Sequence, residues 1–310
     1  ELTIQMMYWI YCRRNFTECR YSLRMEKDIF REMFGFAGWN FLTTCASMLS
    51  TQGVSILLNM QFGPVINASR GVASQINGTV GAFHRNFTTA LNPQITKTYA
   101  AEDFEYVKRL VCKGAKFSYL AFFFIALPCM IEVNFFLSVW LKEVPAYAGI
   151  FVQLTLLNSL VEVLLNSSET LNRATGKIRN FQLLVSSAQF AILIASYIAL
   201  KITANPILVV SMANIIYLLI FVPRILVNKP YVGMTFGYYY KEVLQGIIMM
   251  SVISAALSLL PFMFMSDGWM RLVTVGVVSS ISIIITSAIF VLTKGERDMV
   301  VRFVKNKLKR

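Results

Sequence analysis

The residues most able to do chemistry are His84 and Arg85, which stand side by side inside a stretch long enough to cross a membrane. An ionisable side chain inside a bilayer is costly, so it indicates a functional site by default. Arginine keeps its charge there and offers a planar fork of donors that fits a phosphate or pyrophosphate. We therefore expect Arg85 to bind an anionic substrate. His84 is a candidate for the same site or for a coupling proton, and the alternative is a hydrogen bond to a neighbouring helix.

Two carboxylates, Glu132 and Glu162, also fall inside apolar stretches. A buried carboxylate that changes its charge can couple transport to an ion, so both are candidates for ion coupling. The alternative is structural, with Arg85 forming an ion pair with Glu162 or Glu132. The sequence leaves both interpretations open.

Polar side chains recur at steps of three and four residues along three of the apolar stretches, which places them on one face of each helix. On 70–93 they are Ser74, Gly78, Gly81, Arg85, Thr88 and Asn92, flanked by Asn77 and His84. On 37–62 they are Asn40, Thr44, Ser47, Thr51 and Ser55, and on 147–168 they are Asn158, Glu162 and Asn166. Three such faces predict a shared hydrated cavity, with Thr51, Asn77 and Asn158 as further substrate contacts.

The elements that must position these residues are membrane helices. The chain of 310 residues is 56% hydrophobic and only 15% charged, against about 25% charged in soluble domains. A spanning helix needs about 20 mainly apolar residues. Eight complete candidates meet this length: 37–62, 70–93, 117–140, 147–168, 181–200, 206–223, 245–264 and 270–293. A truncated helix ends near Tyr11, so we expect a portion of the protein to precede this chain.

Lysine and arginine predict the orientation, because they concentrate on the cytoplasmic side of a membrane protein. With the segment after Tyr11 in the cytoplasm, most of the 29 basic residues fall on that side. They lie in the segments 12–36, 94–116, 169–180 and 224–244 and in the tail from Lys294. The net charge of +13 is thus explained by topology, and no nucleic-acid partner is expected. The basic tail could also lie on an anionic leaflet.

Motifs for enzymatic or metal chemistry are missing from the sequence. It has no Walker A, GxSxG or HExxH motif, and its five cysteines show no paired metal-ligand spacing. We therefore expect no enzyme activity, no catalytic residue, no metal and no cofactor.

Four segments together resemble bacterial polysaccharide flippases of the Wzx type, which belong to the MATE-like superfamily of multidrug, oligosaccharide-lipid and polysaccharide exporters. The segments are "YCRRNFTECR" (11–20), "GPVINASRGVASQINGTVGAF" (63–83), "NPQITKTYAAEDFEYVKRL" (92–110) and "NRATGKIRNFQ" (172–182). The resemblance covers nearly the whole chain.

The resemblance implies an all-α polytopic membrane protein of about eight transmembrane helices. On this template 1–36 holds the end of a preceding helix and a basic loop, and 37–223 is the second six-helix lobe. A cytoplasmic linker (224–244), an extra helix pair (245–293) and a basic tail (294–310) follow. The implied function is ion-coupled flipping of undecaprenyl-pyrophosphate-linked oligosaccharide across the bacterial inner membrane, with Arg85 as the cavity cation. Implied partners are that lipid, membrane lipid, the N-terminal lobe of the same protein and a polysaccharide polymerase.

Two other functions stay open. A drug or organic-cation exporter of the same superfamily would use carboxylates and aromatic residues in its cavity; Glu162 fits that function and Arg85 does not. A membrane polysaccharide polymerase or ligase would carry a large polar outer loop. The predicted outer loops, such as "KEVPA" and "MSDGW", are short, which argues against such an enzyme.

Overall fold

A computed structural model describes residues 2–16 and 27–298. Within these ranges the chain is mostly helical and contains no strand. The first helices are α1 (Leu2–Asn15), α2 (Lys27–Phe62), α3 (Pro64–Ala100), α4 (Phe104–Ile131), α5 (Val133–Trp140), α6 (Ala148–Ala174) and α7 (Arg179–Ile202). The remaining helices are α8 (Pro206–Leu219), α9 (Phe221–Leu226), α10 (Lys229–Val232), α11 (Phe236–Tyr239), α12 (Gln245–Phe264) and α13 (Trp269–Thr286).

Seven helices in the described ranges are long and apolar enough to cross a membrane. They are α2, α4, α6, α7, α8 with the short helices after it, α12 with the turn before it, and α13. The protein is therefore an all-α polytopic membrane protein, and this prediction is confirmed. α3 has 37 residues, but the polar residues on its face keep it out of this set.

The helix ends follow from local sequence. Pro64 opens α3 and Pro206 opens α8, positions where the missing backbone N–H of proline is harmless. Only Gly63 separates α2 from α3, and its φ of +76° is a conformation that glycine adopts without strain. The Asp103 carboxylate accepts a hydrogen bond from the N–H of Tyr106 at 3.0 Å, which caps α4.

Two predicted spans are interrupted. The span 117–140 divides at Glu132, which has a ψ of 22° outside the helical range, so α4 and α5 are separate helices. In the span 206–223, α8 ends at Leu219 because Pro223 has no N–H to donate to the Leu219 carbonyl, and α9 continues the same crossing. By contrast, the predicted span 245–264 coincides with α12.

The helices pack in two groups that meet at α6. α3 packs mainly against α6 and α4, whereas α2 packs mainly against α7, and α8 packs against α7 and α6. α12 and α13 pack on each other and against α4. α2 therefore belongs to one group and α3 to the other, and a groove bordered by α2, α3 and α6 lies between the groups.

The segment predicted as a linker, 224–244, is folded against α6. Asn228 is fully buried and its amide donates to the Ser168 hydroxyl at 2.8 Å. Tyr239 is also fully buried, and its hydroxyl donates to the Leu164 carbonyl at 2.6 Å. These contacts attach α9–α11 to α6. As a result Arg224, a charged residue of this segment, is buried in the bundle.

Two predicted basic segments fall partly outside the described residues, namely 17–26 of the loop 12–36 and 299–310 of the tail. The tail begins as a short helix with a reciprocal cap. The N–H of Thr293 donates to the Glu296 carboxylate at 2.9 Å, and the N–H of Glu296 donates to the Thr293 hydroxyl at 3.4 Å. Lys116 of α4 lies 4.0 Å from the same carboxylate, so the start of the tail is attached to the bundle.

α12 and α13 approach each other through their backbones at Gly246. A π-helical turn, Tyr240–Leu244, leads into α12, and a second, Ser287–Val291, follows α13. A methyl group at position 246 would collide with the carbonyl oxygen of Phe290 in that second turn. The crossing of the two helices therefore depends on glycine at this position.

Replacing Gly246 by Ala should lower the melting temperature of the detergent-solubilised protein, because a rigid backbone carbonyl cannot move aside as a side chain would. Fluorescence-detected size exclusion after heating measures this. Gly276→Ala on α13 is the matched control, since the space around Gly276 is open. That change should be neutral or stabilising by up to about 1 kcal/mol through helix propensity. Equal melting temperatures of the two variants would contradict the close approach.

Candidate functional site

A small cavity of about 130 Å³ lies between α3, α4 and α6 and contains both residues of the His-Arg pair; we call it the Arg85 cavity. Its polar lining residues are Asn77, His84, Arg85, Ser159, Glu162, Asn166 and Glu169. The structure thus brings together His84, Arg85, Asn77 and Glu162 of the predicted site. They meet because α3 and α6 pack along most of their length.

The Arg85 side chain is held against its own helix. Its Nη2 donates to the carbonyl of Gly78, two turns earlier, at 2.9 Å. A methyl group at position 81 would lie 2.8 Å from Nη1 of Arg85, so Gly81 leaves the space that the guanidinium occupies. Within the described residues Arg85 has no carboxylate within ion-pair distance, so its charge is open to a ligand.

His84 faces the opposite side of the cavity. It is 8% exposed, and its ring meets Phe122 of α4 edge-on with the centroids 5.6 Å apart. Its Nδ1 has no hydrogen-bond partner in the described part of the chain. Thr88, one turn further on, is buried and donates to the His84 carbonyl at 2.9 Å. Thr88 therefore lies against α4, although the spacing had placed it on the same face as Arg85.

Glu162 forms an ion pair with Arg224, a residue that the sequence analysis had assigned to the linker. Arg224 is 2% exposed and binds Glu162 through Nη1. Its Nη2 lies 3.7 Å from Glu169, which in turn binds Arg173 at 2.7 Å. One signal could have found Arg224, since it is flanked by the apolar pairs Phe221–Val222 and Ile225–Leu226.

The ion pair between Glu162 and Arg224 stabilises the attachment of α9 to α6. Arg224→Met should destabilise the protein by about 3 kcal/mol, because losing one member of a buried pair leaves the other charge uncompensated. This cost is at the lower end of the usual range for breaking a buried ion pair, because Glu162 is 35% exposed to the groove. Thermal unfolding in detergent measures the loss. Arg224→Met combined with Glu162→Gln should recover part of it; a double variant no more stable than the single one would contradict a direct pairing.

Glu132 lies away from the Arg85 cavity, at the junction of α4 and α5. It is 1% exposed and is bound by Nε and Nη2 of Arg271 at 2.8 and 2.9 Å. Arg271 also binds Asp267 and lies over the ring of Phe262 at 4.5 Å. Beside this pair an apolar cleft of about 810 Å³ separates α3, α4, α5 and α13. The pair connects the last two helices to the bundle.

A larger cavity, of about 340 Å³, lies between α2, α3, α6, α7 and α8; we call it the Arg70 cavity. The predicted substrate contacts Thr51, Asn77 and Asn158 all line it. Arg70, the first residue of the predicted span 70–93, lies in its wall and donates from Nη1 to the Ser55 hydroxyl at 2.7 Å. Arg70 is therefore a second groove cation that the sequence analysis did not single out.

The polar residues of α2 serve two separate purposes. Ser47 and Thr51 line the Arg70 cavity. Asn40, further toward the start of the helix, instead accepts a hydrogen bond from the Gln182 amide of α7 at 2.9 Å. Gln182 also accepts from the Thr43 hydroxyl at 2.7 Å. The first part of the polar face thus joins two helices, and the later part faces the cavity.

A third cavity, of about 370 Å³, contains Arg173 and lies next to the Arg85 cavity; we call it the Arg173 cavity. It shares Asn166 and Glu169 with the Arg85 cavity, which in turn shares Asn77 with the Arg70 cavity. The three cavities follow α3 and α6 for most of their length. Polar groups and three arginines therefore line a path that could lead a polar ligand through the bundle.

The fold and this groove define a class, a multi-pass helical membrane protein with a polar, arginine-containing path between its helices. Comparisons with protein-family models, with curated proteins and with solved structures find no match for this chain. In the described ranges no three His, Cys, Asp or Glu side chains come together as a metal site. What the groove binds must therefore be argued from its own residues.

Proposed function

We propose that this protein flips a polyprenyl-pyrophosphate-linked oligosaccharide, with undecaprenyl pyrophosphate as the lipid carrier, across the bacterial inner membrane. The observation that carries the proposal is Arg85, whose guanidinium lies in the groove without a carboxylate partner among the described residues. A pyrophosphate supplies the opposite charge and the oxygen pairs that match this fork of donors.

The groove suits the other part of such a substrate as well. Hydroxyl and amide side chains line it from the Arg70 cavity to the Arg173 cavity, and they can exchange hydrogen bonds with sugar hydroxyls. The polyprenyl chain would stay in the surrounding lipid. Alternating access would require a facing helical lobe, for which we propose the N-terminal lobe of the same protein.

Glu162 is the residue we propose for ion coupling. Its carboxylate faces the Arg85 cavity on one side and binds Arg224 on the other. A proton or sodium ion at Glu162 would weaken the Arg224 pair and so change how α9 is attached to α6. Glu132 suits this role less well, because Arg271 binds both of its oxygens away from the groove.

Organic-cation export is less well supported. That function would use the Glu162 carboxylate as the counter-charge of the drug, and Arg224 already neutralises it. Within the described part of the chain the Arg85 charge lacks such a partner, and it would repel a cation.

The basic segments and the C-terminus would lie in the cytoplasm under the proposed topology, and a polysaccharide polymerase would receive the translocated lipid.

The test is deletion of the gene in the source bacterium, followed by lipid extraction and leaflet-specific labelling. We expect undecaprenyl-pyrophosphate-linked oligosaccharide to accumulate on the cytoplasmic leaflet while surface polysaccharide disappears. Complementation with the intact gene should reverse both changes. Unchanged lipid-linked oligosaccharide, together with altered sensitivity to cationic drugs, would overturn the proposal in favour of drug export.

A further inference from the structure

The Arg70 cavity has the chemistry of a carbohydrate site. A pocket for drug-like molecules is mostly apolar and aromatic, with a few polar groups. This cavity has seven apolar lining residues, but it also has hydroxyl or amide side chains from each of the five helices around it. They are Ser47, Ser50, Thr51, Ser74, Asn77, Thr155, Asn158, Gln189, Ser196, Asn214 and Tyr217. Such groups both donate and accept, as sugar hydroxyls do.

Two amide atoms at this cavity lack hydrogen-bond partners among the described residues. They are Oδ1 of Asn77, an acceptor, and Nδ2 of Asn158, a donor, and both are buried. A buried polar atom left unpaired costs free energy, commonly about 1–3 kcal/mol, so native proteins rarely keep one without a reason. A ligand hydroxyl, which both donates and accepts, is a suitable partner for either atom.

Arg70 adds one positive charge to this polar wall. Its Nη1 is fixed by the hydroxyl of Ser55, which orients the guanidinium and leaves its other donors for a ligand. No carboxylate occurs among the lining residues that the structure describes. The cavity therefore has an uncompensated cation among neutral hydrogen-bonding groups, which favours a ligand that is a sugar and also carries a negative charge.

We propose that the Arg70 cavity binds the oligosaccharide part of the substrate and that Arg70 binds the carboxylate of an acidic sugar in it. This inference rests on the proposed function and adds a substrate class, namely glycans whose repeat unit contains a carboxylated sugar. Arg85 holds the pyrophosphate and Arg70 holds the sugar acid. The same guanidinium chemistry would also accept a phosphate, so the experiment must separate the two anions.

The experiment uses the intact protein in lipid nanodiscs with three probes: glucuronate, glucose and inorganic pyrophosphate. Saturation-transfer NMR measures the binding of each. The variant is Arg70→Gln, and the matched control is Lys97→Gln, which removes an exposed cation from the same helix. We expect Arg70→Gln to weaken glucuronate binding at least tenfold, with glucose and pyrophosphate binding unchanged. Arg70→Lys should recover part of the glucuronate affinity, and the elution profile of each variant checks that it is folded.

Two outcomes would overturn the inference. Equal glucuronate binding by Arg70→Gln and Lys97→Gln would remove Arg70 from sugar recognition. A loss of pyrophosphate binding as large as the loss of glucuronate binding would make Arg70 a second phosphate contact. Both outcomes leave the proposed function untouched, because that function is tested by gene deletion. If gene deletion causes no accumulation of lipid-linked oligosaccharide while Arg70→Gln still weakens glucuronate binding, the flippase proposal fails and the acidic-sugar site stands.

Discussion

Replacing Arg85 by Ala should abolish transport while the protein remains folded in the membrane. The side chain donates to the Gly78 carbonyl, and we find no ion pair for it within the described residues, so its removal exposes no unpaired charge. Under the proposed function the guanidinium donates charge-assisted hydrogen bonds to the pyrophosphate, which contribute about 1.5–3 kcal/mol each, and about 1.4 kcal/mol is a tenfold change. We therefore expect transport to fall at least about tenfold. Leaflet-specific detection of undecaprenyl-pyrophosphate-linked oligosaccharide measures it.

Two control variants make the Arg85 result specific. Arg85→Lys keeps the positive charge but loses the planar set of guanidinium donors, so it should retain part of the transport activity. Lys142→Ala removes an exposed cation outside the groove and should leave transport unchanged. Normal transport by Arg85→Ala would refute the assignment of Arg85 to the pyrophosphate.

Replacing Arg271 by Met should give the largest loss of stability among the ion-pair variants. Glu132 is almost fully buried and accepts both of its ion-pair hydrogen bonds from Arg271. Without Arg271 its charge stays uncompensated in the bundle, which typically costs about 3–5 kcal/mol. The attachment of α12 and α13 to α4 should weaken as well. Thermal unfolding in detergent reports the stability.

Asp267→Asn is the matched control, because Asp267 binds the same arginine but is 80% exposed. An exposed ion pair contributes about 0–1 kcal/mol, so this variant should unfold close to the unaltered protein. Combining Arg271→Met with Glu132→Gln should recover most of the stability. An Arg271→Met protein as stable as Asp267→Asn would show that the Glu132 pair is dispensable. Altered ion dependence of Glu132→Gln with unchanged stability would instead support Glu132 as a coupling residue.

The sequence was sufficient to predict the long helices and most of their polar faces, but not the short helices α9 to α11 in the segment predicted as a linker. Helix periodicity says which residues share a face, so the cavity positions of Thr51, Asn77, Asn158 and Glu162 could be anticipated. Apolar length is a similarly local property, and the predicted span 245–264 coincides with α12. The break at Glu132 was missed because no glycine or proline stands at that position.

Contacts between distant segments could not be predicted in this way. Periodicity does not say which helix a face meets, so the Arg224–Glu162 and Arg271–Glu132 pairs were not anticipated. Arg224 was assigned to a loop because basic residues usually mark one, whereas the packing of Asn228 and Tyr239 draws it into the bundle. Thr88 fits the spacing of the polar face, yet it faces α4, where it can share a hydrogen bond with Ser118.

Both groove arginines of α3 belong to one continuous helix, and this fixes the interval between them. Arg70 and Arg85 are fifteen residues apart, which corresponds to about 22 Å along a helix axis. No proline or helix end lies between them, so the interval is constant whenever α3 tilts or shifts. The helix therefore fixes the distance between the two cationic positions. The Arg85 guanidinium reaches back to the Gly78 carbonyl, so the spacing of the two charges differs from that of the two Cα atoms but is fixed in the same way. Under the proposed function, a substrate whose two anionic groups match the spacing of the two guanidinium groups would engage both arginines at once, and one with a shorter glycan would leave one arginine before it reaches the other.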